Sequence, residues 1–394
     1  MTNDAFTRHL NRWGTHSAKW DLLAADLGSD AICLSVADME FTTCPEVVDA
    51  VIKAAEHASY GYTEIFPDFA QAAAGWQRRR HSWDVDPSHV HFFPRVVQCV
   101  SALVNFILRD KECSPVTVVS LSPAYSPLIE VCEASGAEIR RVELISDVSS
   151  SPTIDWESLD KALTGSDLLL WCNPHNPTGR VWHRDELEFL CEIARRNSFL
   201  ILSDDIHGDF ERPGRNRYTP LATLCPDLWE DGRLIHCASP GKTFTIAGLE
   251  ATAVITTSKM GERLEAAKRR MGLHNPNYFS IPASIAAWTQ GDRWVDQLLE
   301  TIDSNIVAAR ELLTRELPYA RVLDPDGTYL LWVDARHYLV SASSLEKASL
   351  HSHVAVSPGK DFGVPYEGFC RINVALPRNE LLEGISRLAN ELRY

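Results

Sequence analysis

Four short turns carry the side chains best suited to chemistry. Ser122-Pro-Ala-Tyr125 offers an aromatic ring, and Asn173-Pro-His-Asn176-Pro-Thr-Gly179 offers an amide. Asp204-Asp-Ile-His207 offers a carboxylate, and Ser239-Pro-Gly-Lys242-Thr243 a primary amine. A lysine amine forms an imine with a carbonyl compound and, once released, carries a proton as a free base. Read singly, each residue also has an ordinary role. Lys242 would be a solvated surface lysine, Asp204 a helix N-cap, Asn176 a turn former before proline, and Tyr125 part of a core. Their co-occurrence, in this order, is the signal.

The elements around these turns explain how they could meet. Val116–Leu121, Leu168–Cys172, Phe199–Ser203 and Leu234–Ala238 are continuous apolar runs of strand length, and each leads straight into one of the turns. Between the second and third, Asp185–Arg196 has apolar residues at helical spacing. Apolar strands alternating with helices indicate βαβ units and a mainly parallel sheet. Open parallel sheets bind ligands at the carboxyl ends of their strands, which is where all four turns fall.

Other stretches are plainer. Ala251–Thr256 reads as an additional strand, and Tyr329–Val333 and Phe369–Val374 as strands of a second unit. Pro45 suits a first helical position, with Val47, Val48, Val51 and Ile52 on one face. Ala72–Ala74 and Arg78–Arg80 read as parts of one solvated helix, and Ser146–Thr153 as a surface loop. A large domain is expected at residues 46–290, with 1–45 and 291–394 forming a smaller one.

The chain has 394 residues and a formal net charge of −15. That charge repels phosphate backbones and anionic membranes, so neither nucleic acid nor membrane is an expected partner. The N-terminus lacks the apolar core of a signal peptide. Ten cysteines are scattered singly with no Cys-x-x-Cys pair, which predicts a reduced, cytoplasmic protein without a disulfide framework. Cys172, His175, His183 and His207 lack the paired spacing of a zinc site, so no metal is expected. Gly241-Lys242-Thr243 ends like a phosphate loop, but His236 stands where that motif needs glycine, and a nucleotide-hydrolysing reading is rejected.

Taken together, the sequence resembles the aspartate aminotransferase superfamily of pyridoxal 5′-phosphate (PLP) enzymes. It is most similar to the cystathionine β-lyase branch typified by the bacterial MalY and PatB proteins. The resemblance spans nearly the whole chain: Gly14–Trp20, Val36–Met39, Tyr60–Thr63, Cys172–Trp182, Asp204–His207, Lys242–Phe244, Ile246–Leu249, Gly327–Leu330 and Phe369–Asn373. It implies an α/β fold of aspartate aminotransferase type, with a mainly parallel seven-stranded sheet in the large domain and a smaller α/β domain.

The resemblance also implies roles. Lys242 would carry PLP as an imine, and Asp204 would hold the ring nitrogen protonated. Asn176 would donate to the ring hydroxyl oxygen, Tyr125 would stack on the ring, and His207 would stand near the cofactor oxygen. The phosphate would be held by the backbone of Val96 and Val97, by the Ser239 hydroxyl and by Tyr62 from a neighbouring subunit, which implies a homodimer with shared active sites. Arg371 would clamp the carboxylate of an amino-acid substrate, since its planar fork binds carboxylate through two bonds. The implied reaction is β-elimination from an S-substituted L-cysteine to thiol, pyruvate and ammonia.

An aminotransferase shares every cofactor residue and differs in protonating the cofactor's C4′ instead of expelling a group from Cβ. Relatives in specialised metabolism, as in lincosamide assembly, act on larger cysteine conjugates, some of them by decarboxylation coupled to oxidative deamination. Departures from the branch pattern keep these alternatives open: Arg95 replaces glycine, Gly241 serine and Thr245 asparagine, and Glu250 stands where aminotransferases often carry arginine. Arg95 is expected to replace part of the lost phosphate binding.

Overall fold

The structure is a computed structural model that describes residues 3–109, 115–146, 151–339 and 343–393. The strands, in chain order, are β1 (Ile32–Cys33), β2 (Val90–Phe93), β3 (Thr117–Ser122), β4 (Glu138–Glu143), β5 (Leu168–Cys172), β6 (Leu200–Asp204), β7 (Leu234–Ala238), β8 (Thr252–Ile255), β9 (Arg321–Val322), β10 (Leu330–Asp334), β11 (Val354–Ala355), β12 (Ser357–Pro358) and β13 (Phe369–Asn373).

Seven of them form one sheet in the order β2-β8-β7-β6-β5-β3-β4. β7, β6, β5, β3 and β4 run parallel, while β8 is antiparallel to both β7 and β2. The expected strand at 251–256 is therefore this antiparallel β8. Every residue of β3, β6 and β7 is buried. Helices cover both faces of a parallel sheet, which is why these strands read as unbroken apolar runs rather than as alternating patterns. β7, β6, β5 and β3 are adjacent, so the four turns lie side by side on one sheet edge.

A second sheet, β12-β13-β10-β9, is antiparallel and contains both C-terminal strands expected from the sequence. β1 pairs in parallel with β11, joining residues 32–33 to 354–355. The N-terminal segment is fixed by buried charge. Lys19 Nζ lies 2.7 Å from Glu40 Oε1, which also accepts from Trp20 Nε1 at 3.1 Å and from Arg12 at 3.1 Å. Asn373 Nδ2 donates to the carbonyls of Val36 at 2.9 Å and Asp38 at 2.8 Å. Segment 36–40 is thereby pinned against β13.

Three local expectations change. Helix Pro45–Glu56 starts at Pro45, but only Val47 is buried, while Val48 and Ile52 are exposed. The core takes one edge of that wide apolar stripe and leaves the other to solvent. Ala72–Ala74 and Arg78–Arg80 do share helix Pro67–His81, but the alanines are buried rather than solvated. They let the helix pack closely, and at its exposed end Arg80 pairs with Asp296 at 2.7 Å. The third change concerns thiols: Cys191 and Cys225 are paired as a disulfide with Cα atoms 6.2 Å apart, within the span such a bond bridges. Scattered spacing gave no sign of this pair, which the packing of two helices brings together. Cys113 and residues 147–150 of the expected surface loop lie outside the described residues.

Candidate active site

Lys242 sits on a single helical turn, Pro240–Thr243, directly after β7. Its Nζ donates to the Ala37 carbonyl at 2.7 Å, so the pinned 36–40 segment sets the amine's position. Burial, followed by the nearby Arg371 cation, lowers the pKa of this amine to about 8. The charged form of a lysine loses solvation on burial, and the neutral, nucleophilic form gains. The next residue is fixed from below. Thr243 Oγ1 donates to Asp209 Oδ2 at 2.6 Å, and Asp209 Oδ1 accepts from Trp76 Nε1 at 2.8 Å and contacts His81 Nε2 at 2.9 Å. Burial alone would raise the Asp209 pKa, yet hydrogen bonds and the charge of His81 outweigh it and hold the group below its ordinary value.

Asp204 ends β6 and is 3% exposed. Among the described residues its Oδ1 has no hydrogen-bond partner. Burial, then the adjacent Asp205, raises its pKa to about 7. A buried carboxyl oxygen without a partner is costly, and it marks a place where a protonated ring nitrogen would fit. Behind it, Asp205 Oδ2 lies 2.7 Å from His236 Nδ1, and the His236 ring packs on Trp83 at 4.8 Å. His207 is also buried, and neither of its ring nitrogens has a partner among the described residues. Its ring lies 5.9 Å from Phe210 and 5.6 Å from Tyr329. Burial, with Lys242 and Arg371 nearby, drives its pKa well down and keeps it neutral.

Arg371 and Asn176 come from different sheets and meet. Arg371 Nη1 donates to Asn176 Oδ1 at 2.9 Å and Nη2 to Ser357 Oγ at 3.3 Å. The guanidinium lies 4.7 Å over the Phe362 ring. It is 5% exposed, and burial lowers its pKa to about 10, so it stays charged at neutral pH. With Oδ1 occupied, the Asn176 amide has its N–H groups available for a ring oxygen. The turn bearing Asn176 depends on Gly179: at φ +71°, a Cβ there would come 2.3 Å from Pro325 Cβ. Tyr125 starts helix Ser126–Ala134 and faces the same cavity as Arg371.

The phosphate side is less complete. Val96 and Val97 open helix Val96–Ala102, so their amides have no carbonyl one turn back to bond. The Ser239 hydroxyl instead donates to the Ala251 carbonyl at 2.6 Å and accepts from the Gly241 amide at 3.1 Å. Arg95 is largely exposed and ion-paired with Glu250. Tyr62 is 98% exposed and is not gathered with the buried groups of its own chain. Ser357 and Phe362 carried no sequence signal, while the Ala37 carbonyl and Tyr329 lie in stretches that carry the resemblance but were assigned no role there. Ser357 faces Arg371 only through strand register.

Comparisons with known proteins show what the chain as a whole is similar to. Residues 29–388 match the family model "Aminotransferase class I and II". The chain is 33% identical over 388 residues to cystathionine β-lyase PatB of Bacillus subtilis, covering 97% of this chain and 98% of that one. It is 30% identical over 395 residues to protein MalY of Escherichia coli, covering 98% of each. Among solved structures, cystalysin of Treponema denticola, which contains PLP, superposes with a TM-score of 0.92 at 28% identity, covering 98% of each chain. A PLP-bound C–S lyase of Staphylococcus hominis, in complex with L-cycloserine, does so with a TM-score of 0.90 at 27% identity, covering 99% of this chain and 98% of that one.

Proposed function

This chain belongs to the class I and II aminotransferase family, and we propose that it is a PLP-dependent C–S β-lyase whose cofactor is carried by Lys242. The observation that carries the residue assignment is the pairing of a pKa-lowered amine at Lys242 with a buried, unpartnered carboxyl oxygen at Asp204. The residues present fit PLP. Asp204 would hold the ring nitrogen, Asn176 the ring oxygen and Tyr125 a ring face, while His207 would stand beside the ring. The Val96 and Val97 amides would hold the phosphate. When bound, PLP supplies the electron sink that makes loss of the Cα proton feasible.

The chain's own groups do the rest. Arg371 takes the substrate carboxylate through its planar fork, and Asn176 and Ser357 keep that fork oriented. Lys242 Nζ, with a pKa of about 8, accepts the Cα proton as the free base and holds it near the sulfur that departs from Cβ. Fixing carboxylate and proton acceptor together supplies alignment rather than bond chemistry. With one water consumed in the hydrolysis of the released aminoacrylate, the products are a thiol, pyruvate and ammonia.

The same reading includes a homodimer in which Tyr62 reaches the neighbouring site. Exposed Val48, Ile52, Tyr60 and Phe66 flank it along the chain, and such an apolar surface calls for a partner. It also includes the large domain at 46–290 and the small domain at 1–45 and 291–394, supported by the two separate main sheets. Seven free cysteines among the described residues are consistent with a cytoplasmic setting, although the Cys191–Cys225 disulfide argues against a strongly reducing one. A screen of L-cysteine thioethers with pyruvate and thiol detection tests the function. Pyruvate with stoichiometric thiol supports the lyase; keto-acid-dependent amino transfer without thiol release contradicts it.

A further inference from the structure

A cavity of about 340 Å³ opens beside Arg371 and Tyr125. Leu23, Leu27, Val356 and Phe362 give it an apolar wall. Among the described residues, Asp361 and Arg371 are the only charged ones lining it. If Arg371 binds the substrate's own carboxylate, as in the lyase reading on which this inference rests, no cation is left for the rest of the substrate. Lys360 does not line the cavity and is ion-paired with Glu346. At Asp361 the fields of Lys360 and Arg371 oppose those of Glu130 and Glu346. We infer that this cavity receives the group carried on sulfur and selects one that is uncharged or cationic, discriminating against a leaving thiol that bears a carboxylate. Such an anion would sit on an apolar wall beside Asp361, losing solvation with no second cation in the lining to offset it.

The test uses the PLP-loaded enzyme and three compounds of similar size: S-propyl-, S-(2-aminoethyl)- and S-(2-carboxyethyl)-L-cysteine. Propyl and carboxyethyl compounds release thiols of similar basicity, so their comparison isolates the cavity. Their kcat/KM ratio is expected to favour propyl by about tenfold or more. In Asp361→Lys the aminoethyl-to-carboxyethyl ratio is expected to fall by at least about tenfold relative to the wild type, a comparison that cancels intrinsic leaving ability. Should that variant not fold, Asp361→Asn carries the same test with a smaller fall. Equal or better turnover of the carboxyethyl compound, or a ratio unmoved by substitution of Asp361, overturns the inference. If none of the three gives pyruvate, the lyase reading itself fails. The same order is then expected in their dissociation constants for the holoenzyme, and its absence there overturns the inference too.

Discussion

Arg371 and Asn176, 195 residues apart, are joined by a 2.9 Å hydrogen bond from Nη1 to Oδ1. The bond ties a strand of the antiparallel sheet to a turn of the parallel one and orients two proposed ligand-binding groups at once. Arg371→Lys keeps the charge but loses the planar fork. Its kcat/KM for a cysteine thioether should fall about a hundredfold, chiefly through KM, with PLP still bound. Steady-state kinetics with pyruvate detection checks this; an unchanged KM would contradict the role.

Asp209 collects donors from three elements around Thr243. Asp209→Ala leaves those buried groups unpaired, and the protein should lose about 3 kcal/mol or more of stability. Urea unfolding should show a lower midpoint with an unchanged slope. An unchanged midpoint would mean the network contributes nothing.

Asp204 gives a pH-dependent prediction for the cofactor-free protein. Its folded pKa of about 7 lies above the ordinary 3.8, so the unfolded chain ionises first. The stability associated with the protonated group is present below pH 4 and is lost as pH rises through 7. Asp204→Asn removes this dependence. Relative to the wild type it should gain about 2–3 kcal/mol between pH 5 and pH 8. Thermal melts at the two pH values check the sign, and a variant that loses ground at pH 8 would contradict it. With PLP bound, the same substitution should instead weaken cofactor retention, because the ring nitrogen loses its anion.

Tyr62 can be tested by mixing. Lys242→Ala and Tyr62→Ala are each expected to be nearly inactive alone. After co-refolding, hybrid dimers would hold one intact site, and about a quarter of wild-type activity should return. No recovery in mixtures shown to contain hybrids would place Tyr62 outside the partner's site.

The parallel sheet was legible because its strands are buried on both faces, so Leu168–Cys172 and Leu234–Ala238 read as apolar runs with chemical turns at their ends. Lys242, Asp204 and Asn176 followed from that edge, since a strand's end fixes where the next residue goes. What escaped depended on tertiary register. Ser357 meets Arg371 because β12 pairs with β13, and the Ala37 carbonyl meets Lys242 because Asn373 and Glu40 pin a segment distant in sequence. Arg95, expected to replace part of the lost phosphate binding, also has a partner that the sequence does not reveal. Its ion pair with Glu250 joins residues 155 positions apart. The Cys191–Cys225 pair escaped because a lone cysteine in an apolar run looks the same whether or not a neighbour packs against it.

The most direct test of the site is chemical capture. Protein incubated with PLP and treated with borohydride should carry one phosphopyridoxyl group per chain, placed by peptide mass spectrometry on Lys242, and Lys242→Ala should retain none. A label on another lysine, or a wild-type protein that stays unlabelled while PLP is bound, would contradict the assignment.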